Sequence, residues 1–380
     1  MQQMKIGIVG CGVISDRYFE GLARSAHLAV KSCYDLNPEN AARKAAQFGV
    51  EAVSYDSMLA DEEIGLVVNL TVPAAHAEIS IRALEAGKHV YSEKPVAASV
   101  AAAREVLQRA MEKGLRLGCA PDTFFGAAHQ TVRRLLDDGA IGHIVGGAVA
   151  FVSRGMEAWH PNPLFFFRPG GGPLLDLGPY YVTQLVNLFG PVQTVWSRAS
   201  IGYAERTVGS GALTGQKINV EVPTTVNGLI TFHSGLSLPV TASWDVWKHG
   251  RNPIELYGTE GSLLNPNPVF FDGEVKISRQ DQDWAPVAID RYPFGVQNRI
   301  TRSGARVADY RAVGVIDMAA AIKAGRPHRA DSQIALHVLE VLEGLERSNG
   351  REIAIESSCQ RPEPLPEGLG EEIFWPSEAK

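Results

Sequence analysis

Short apolar runs alternate with helical patterns through the first third of the chain. Residues 5–9, 30–34, 66–70, 89–92 and 115–119 are apolar or β-rich over the length of a buried strand. The intervals carry helix punctuation. Asn37-Pro38 supplies an N-cap and a proline suited to the first helical position, and Gly49 closes that helix. A second helix, 74–86, stops at Gly87, and a third opens at Ser99 and stops before Gly114. Strand–helix alternation with short connections predicts βαβ units and a doubly wound parallel sheet.

After about residue 123 the pattern changes. A helix over 127–138 and a strand over 144–152 precede a Phe-, Pro- and Gly-rich stretch, 159–173, and a helix expected at 179–189. Long β-rich segments follow at 193–203, 218–233, 236–247 and 253–257. Turns at 233–235 and 258–261 suit hairpins, the second leading into 262–264. Runs of strands rather than strict alternation predict an α+β domain with an open, largely antiparallel sheet. A last amphipathic helix, 332–348, carries Leu336, Leu339, Leu342 and Leu345 at helical spacing. The expected division is therefore a parallel α/β domain over 1–122, an α+β domain over 123–356, and an extended Pro- and Glu-rich tail over 357–380.

Length agrees with two domains, since 380 residues exceed what one core usually supports. No apolar run approaches the roughly 20 residues that cross a bilayer, and the N-terminus does not read as a signal peptide. Cys11, Cys33, Cys119 and Cys359 are widely separated, without CxxC pairing or metal-ligand spacing, so no metal site is expected. A reduced, cytoplasmic protein follows. The net charge of −6 argues against non-specific nucleic-acid binding, which depends on phosphate neutralisation. It leaves anionic small molecules open.

The first chemistry lies in Gly10-Cys11-Gly12-Val13-Ile14-Ser15, directly after a strand and opening a helix. The first glycine permits a tight turn and the second lets backbone approach a pyrophosphate. The helix N-terminus then offers free amides and a positive dipole end. Ser15 replaces the third glycine of the usual fingerprint, where a small residue suffices. Asp35 ends the second strand, where a carboxylate binds the adenosine ribose hydroxyls and repels a 2′-phosphate. A Rossmann domain preferring NAD to NADP is the reading. The bland alternative is an ordinary loop with a capping Asp35.

Glu93-Lys94-Pro95 sets a charged pair between a buried strand and a proline, at the carboxyl end of the sheet where ligands bind. Taken alone it also reads as a surface corner with a solvated lysine. In sequence order, Gly10-x-Gly12, Thr71-Val72-Pro73 with His76, Glu93-Lys94-Pro95 and Gly170-Gly171-Gly172-x-x-x-Asp176-x-Gly178 together resemble the glucose–fructose oxidoreductase/inositol dehydrogenase (Gfo/Idh/MocA) family over about residues 4–350. The hairpin at 258–261 is also similar. The resemblance implies that Lys94 lies near the nicotinamide as an acid/base or holds the substrate oxygen. It also implies that Thr71, Val72, Pro73, His76 and Glu93 line the cofactor pocket, alongside Val13 and Ile14 of the glycine loop. Phe167-Arg168 matches a position where family members contact the cofactor with Trp-Arg. His76 has a plainer reading as a helix-start residue.

In the family the second-domain motif usually reads Asp-x-Gly-x-His, with the His assisting the Lys. Here Tyr180 stands in that place, followed by Tyr181. A phenol ordinarily titrates near pH ~10 and acts as a base only where neighbouring cations favour the phenolate. Two assignments stay open: Lys94 as base with Tyr180 orienting the substrate, or Lys94 tuning Tyr180, which takes the proton. Packing roles for both tyrosines are a third, and Tyr181 is otherwise expected to contact the substrate. Asp176 is expected to bind a sugar hydroxyl or to cap the helix. His160, in Trp159-His160-Pro161-Asn162-Pro163, is expected in a closing loop, and Asp122 and Thr123 are expected to face the substrate.

The resemblance implies reversible hydride transfer between NAD and a secondary alcohol of a sugar, inositol or related polyol. A second implied class is the oxidoreductive glycosidase or glycoside lyase, in which some relatives retain NAD and oxidise one hydroxyl, typically at C3. That step acidifies the neighbouring C–H so that the aglycone is eliminated. A third, a non-catalytic NAD-binding sensor, sits poorly with the retained Glu93-Lys94-Pro95. A homodimer or homotetramer through the second-domain sheet is the expected assembly.

Overall fold

The computed structural model describes residues 3–160, 162–280, 282–301 and 304–369. The chain divides into two compact units. One holds the residues up to 125, 291–336 and those from 362 on, and the other holds 126–290 and 337–361. The division thus falls after 125 rather than 122, and residues 291–336, expected in the second domain, return to the first unit. Residues 357–369 form no regular helix or strand. The rest of the expected tail, 370–380, lies outside the described residues.

The first unit begins with β1 (Met4–Val9), α1 (Ser15–Ala23), β2 (Leu28–Tyr34), α2 (Pro38–Phe48), β3 (Glu51–Ala52), α3 (Tyr55–Ala60), β4 (Ile64–Asn69), α4 (His76–Glu85), β5 (His89–Ser92), α5 (Val100–Glu112) and β6 (Leu117–Cys119). The strands form one six-stranded parallel sheet in the order β3-β2-β1-β4-β5-β6. Ile6, Ile8 and Val9 of β1, Leu66, Val67 and Val68 of β4, and Val90 and Tyr91 of β5 are all 0% exposed. A parallel sheet is buried on its two faces, which is why these strands read as unbroken apolar runs. The helix ends obey the local chemistry: Asn37 accepts from the Glu39 amide at 3.0 Å, and Gly49 ends α2 at φ 69°. The chain order reverses between β1 and β4, so the loops after these two strands flank the crevice that doubly wound sheets use for ligands.

The second unit contains α6 (Ala127–Asp137), β7 (Ile144–Val152), α7 (Gly172–Phe189), β8 (Val192–Ser200), β9 (Glu205–Thr207), β10 (Lys217–Asn219), β11 (Thr225–Phe232), β12 (Ser237–Ser243), β13 (Ile254–Gly258), β14 (Gly261–Asn265), β15 (Val275–Arg279) and β16 (Ala285–Val287). Next come β17 (Arg299–Ile300), β18 (Arg306–Val307) and α8 (Val313–Ala324) in the first unit. After them α9 (Ser332–Arg347) divides between the units at 336, and β19 (Ile353–Ala354) belongs to the second. The nine-stranded sheet runs β16-β15-β14-β13-β7-β12-β11-β8-β19, antiparallel throughout except for the parallel pair β7–β12.

Two expectations about these elements are corrected. The segment 218–233 is two strands rather than one, because Pro223 has no amide to continue a ladder. The helix expected to start at Pro179 starts at Gly172 instead, with Pro173 in its first turn and Pro179 inside it. Gly172 enters at φ 90°, a conformation that favours glycine, and Pro173 occupies the position where a missing amide costs nothing. Asp176 is therefore not an N-cap. It lies within α7, one helical turn before Tyr180 and on the same face.

Candidate active site

The loop after β1 is shaped by its neighbours. Gly10 has φ 97°, and a Cβ there would stand 2.6 Å from the carbonyl carbon and oxygen of Leu70, so no other residue fits. A Cβ on Gly12 would meet nothing within 4 Å, which leaves open space above the loop. Ser15 is 0% exposed and donates its hydroxyl to Gly12 O at 2.6 Å, tying the loop to the first turn of α1. Asp35 accepts from the Cys11 amide at 2.7 Å and the Asn37 amide at 2.8 Å, which fixes its carboxylate beside the loop. Ile14 caps α1 without a side-chain hydrogen bond, whereas Asn37, Ser54 and Ser99 cap α2, α3 and α5 with theirs. Val13 is 94% exposed at the same corner. Open backbone, an N-terminus without a side-chain cap and a placed carboxylate fit the pyrophosphate and ribose of a dinucleotide.

The other wall is organised by Asn69, a fully buried residue at the end of β4. Its side-chain oxygen accepts from the Thr71 amide and hydroxyl, at 3.2 and 2.7 Å, and its amide nitrogen donates to His76 O and Ser80 Oγ. Val72 and Pro73 are exposed at the start of the next turn. His76 is 0% exposed, with Nδ1 2.6 Å from Pro95 O and Nε2 2.9 Å from Thr71 O. Its ring joins the Thr71 loop to the Lys94-Pro95 corner, a larger role than starting a helix. Glu93 is buried, and its carboxylate accepts from Tyr18 Oη at 2.8 Å and from the Lys94 amide at 3.0 Å. Lys94 is half-buried at the carboxyl end of β5.

Asp122 and Thr123 do not lie open to a substrate: they are 0% and 2% exposed. Asp122 accepts from the Gly314 amide at 3.1 Å, at the N-terminus of α8, and its second oxygen has no hydrogen-bond partner among the described residues. Burial pushes the Asp122 carboxyl up to about 6, opposed by Arg311 and the Gly314 amide and reinforced by Glu93. The carboxylate thus fastens the returning segment to the sheet.

In the second unit, Asp176 is half-buried and Tyr180 is 8% exposed. Gly178 lies between them in sequence, and a Cβ there would stand 2.5 Å from a methyl of Leu342 in α9, so any larger residue obliges the Leu342 side chain to shift. Tyr181, expected against the substrate, is 4% exposed. It packs on Phe151 with ring centroids 4.5 Å apart and faces Asn267 Oδ1 at 3.4 Å, and burial raises its phenol above the ordinary range. His160 sits edge-on to Trp159, Phe165 and Phe166, with Nδ1 2.8 Å from Asn162 O. Pro161 beside it lies outside the described residues. Arg168 is exposed, just before the glycines. Tyr18, Asn69 and Arg311 escape a reading of the sequence. Only Asn69, a polar residue closing an apolar strand, leaves a signal there.

Residues 4–120 match a family described as an oxidoreductase family with an NAD-binding Rossmann fold, and residues 129–264 match the GFO/IDH/MocA C-terminal domain. A dTDP-3,4-didehydro-2,6-dideoxy-alpha-D-glucose 3-reductase of Streptomyces violaceoruber is 31% identical over 69% of this chain and 72% of its own. Levoglucosan dehydrogenase of Pseudarthrobacter phenanthrenivorans is 28% identical over 70% and 74%. Among solved structures, levoglucosan dehydrogenase in complex with NADH and L-sorbose superposes with a TM-score of 0.77 at 24% identity, covering 94% of this chain and 100% of that one. An NAD binding oxidoreductase from Klebsiella pneumoniae reaches 0.79 at 22%, with the same coverage. These likenesses establish the fold. Among the described residues no helix is long and apolar enough to cross a membrane, and no group of three or more His, Cys, Asp or Glu is placed to hold a metal ion.

Proposed function

The chain belongs to the GFO/IDH/MocA family of NAD-binding oxidoreductases, and from that premise we propose that it moves a hydride between nicotinamide and a secondary hydroxyl of a sugar, inositol or related polyol. The observation that carries the reading is the corner after β5. A lysine whose backbone neighbours are held by Glu93, Tyr18 and His76 stands at the carboxyl end of the sheet, beside a loop fit for a dinucleotide. The relatives named above are dehydrogenases or reductases of sugars by their own names.

Gly10, Gly12, Val13 and Ile14 would hold the pyrophosphate and Asp35 the adenosine ribose. Thr71, Val72, Pro73 and Arg168 would complete the cofactor pocket, with His76 and Glu93 bracing it from behind. The Asp35 carboxylate favours NAD over NADP by charge. Bound nicotinamide supplies a hydride acceptor in one direction and a donor in the other. Lys94 Nζ takes the hydroxyl proton on oxidation and returns it on reduction. Tyr180 orients the substrate oxygen and Asp176 accepts from a neighbouring hydroxyl, the two sharing one face of α7. Alignment of this kind supplies up to roughly 7–11 kcal/mol of acceleration. Trp196 and Leu229, paired across β8 and β11 and 39% and 38% exposed, support a homo-oligomer through the second sheet.

The test is to incubate the protein with NAD and a panel of sugars, inositols and nitrophenyl glycosides, following NADH absorbance and aglycone release together. NADH formation without aglycone supports the dehydrogenase. Aglycone release with catalytic NAD and no net NADH assigns the chain instead to the oxidoreductive glycosidases.

A further inference from the structure

Tyr18 lies on α1, the helix whose N-terminus closes the glycine loop, and is 0% exposed. A buried phenol in an apolar helix–sheet interface is unfavourable unless its hydroxyl has a partner. The next residue, Phe19, meets the same demand without a hydroxyl, stacking on Phe48 at 4.5 Å. The partner of Tyr18 is Glu93 Oε1, at 2.8 Å and 75 positions away in sequence. Burial and the Glu93 charge push the phenol well above its ordinary range, so it remains a donor at any working pH.

The other Glu93 oxygen accepts from the Lys94 amide at 3.0 Å, and the Glu93 amide donates to Asn69 O at 2.8 Å. Glu93 is thereby fixed through its backbone and through each carboxylate oxygen. On the far side of Lys94, Pro95 O faces His76 Nδ1 at 2.6 Å. The Glu93–Lys94 peptide is thus anchored directly and the Pro95–Val96 peptide is anchored one residue beyond Lys94, so the backbone that carries the Lys94 side chain is held before and after it.

We propose that Tyr18 is a positioning residue for Lys94, acting through Glu93, so that the helix beside the cofactor loop and the reacting lysine are held in one frame. Tyr18 touches neither substrate nor cofactor. The inference rests on Lys94 being the reacting group, and misplacement of such a group by about 1 Å costs up to a hundredfold in rate.

Tyr18→Phe removes the hydroxyl and keeps the ring. Its kcat is expected to fall about tenfold, while the Kd for NAD and the KM for the sugar stay within about twofold, all measured well below the melting temperature. Glu93→Gln, which keeps the shape of the side chain, is expected to show a similar kcat loss, and the double variant no more than the larger single loss. In a Lys94→Ala background, Tyr18→Phe is expected to cause no further loss. An unchanged kcat, a loss confined to NAD affinity, or an undiminished tenfold loss in the Lys94→Ala background overturns the proposal. Wild-type kcat in Lys94→Ala itself removes the reading of Lys94, and is visible without any Tyr18 variant.

Discussion

Asp122 offers a test of the buried charge cluster through pH. Its carboxyl is 0% exposed, pushed up to about 6 chiefly by burial. Facing it are Tyr18 on α1, Tyr91 and Glu93 at the end of β5, Arg311 before α8, and the Gly314 amide on α8. The folded value lies above the ordinary Asp value of about 3.9, so the folded state binds the proton more tightly than the unfolded state does. The associated stability is fully present below the unfolded value and is lost as pH rises through about 6. Going from pH ~7 to pH ~5, the folded chain takes up nearly one proton at this site, worth about 1.3 kcal/mol. Asp122→Asn keeps an oxygen for the Gly314 amide and removes the titration, so other carboxylates cancel in the comparison. Hydrogen exchange followed by mass spectrometry, on peptides covering β5, β6 and the start of α8, reads the opening free energy of this region. Wild type is expected to gain about 1.3 kcal/mol over Asp122→Asn between the two pH values. A difference that stays flat, or moves the other way, refutes the assignment of a raised, buried Asp122.

Other expectations follow from the same geometry. Arg206, its side chain 1% exposed, pairs with Glu157 at 2.6 Å and with Asp245, so Arg206→Met strands two carboxylates and is expected to cost the second unit about 3–5 kcal/mol, read from the fluorescence of buried Trp244 during unfolding. Asp35→Ala removes the acceptor of the Cys11 amide as well as the charge beside the ribose position. NAD affinity is expected to drop and the NAD:NADP preference to fall by about tenfold, measured by titration with each nucleotide. Tyr180→Phe is expected to retain most activity with an unchanged pH–rate profile; loss of the basic limb would move the proton to Tyr180.

What the sequence disclosed and what it concealed divide along the range of the interactions. The parallel sheet was legible because β1, β4 and β5 are buried on their two faces and bounded by Gly, Pro and Asn. The glycine loop was legible because Gly10 and Gly12 answer to local backbone demands. The true start of α7 was hidden because Pro179 carries the same signal inside a helix as at its first turn, while Gly172-Pro173 reads as loop. The return of residues 291–336 to the first unit depends on contacts such as Gly314 with Asp122, 192 positions apart, which no local period encodes. Asp122 and Tyr181 were read as site residues from type and place, and His76 from the family resemblance. The structure turns Asp122 and His76 to backbone partners and packs the Tyr181 ring on Phe151.

The most direct test of Lys94-dependent hydride transfer uses a sugar deuterated at the carbinol carbon, identified from the substrate panel, with NAD and with wild type or Lys94→Ala. Mass spectrometry of the reduced cofactor reads the transferred deuterium. The predicted result is one deuterium in NADH from wild type, and a rate at least about a hundredfold lower from Lys94→Ala at unchanged NAD affinity. NADH without deuterium, or an undiminished rate in Lys94→Ala, would contradict it.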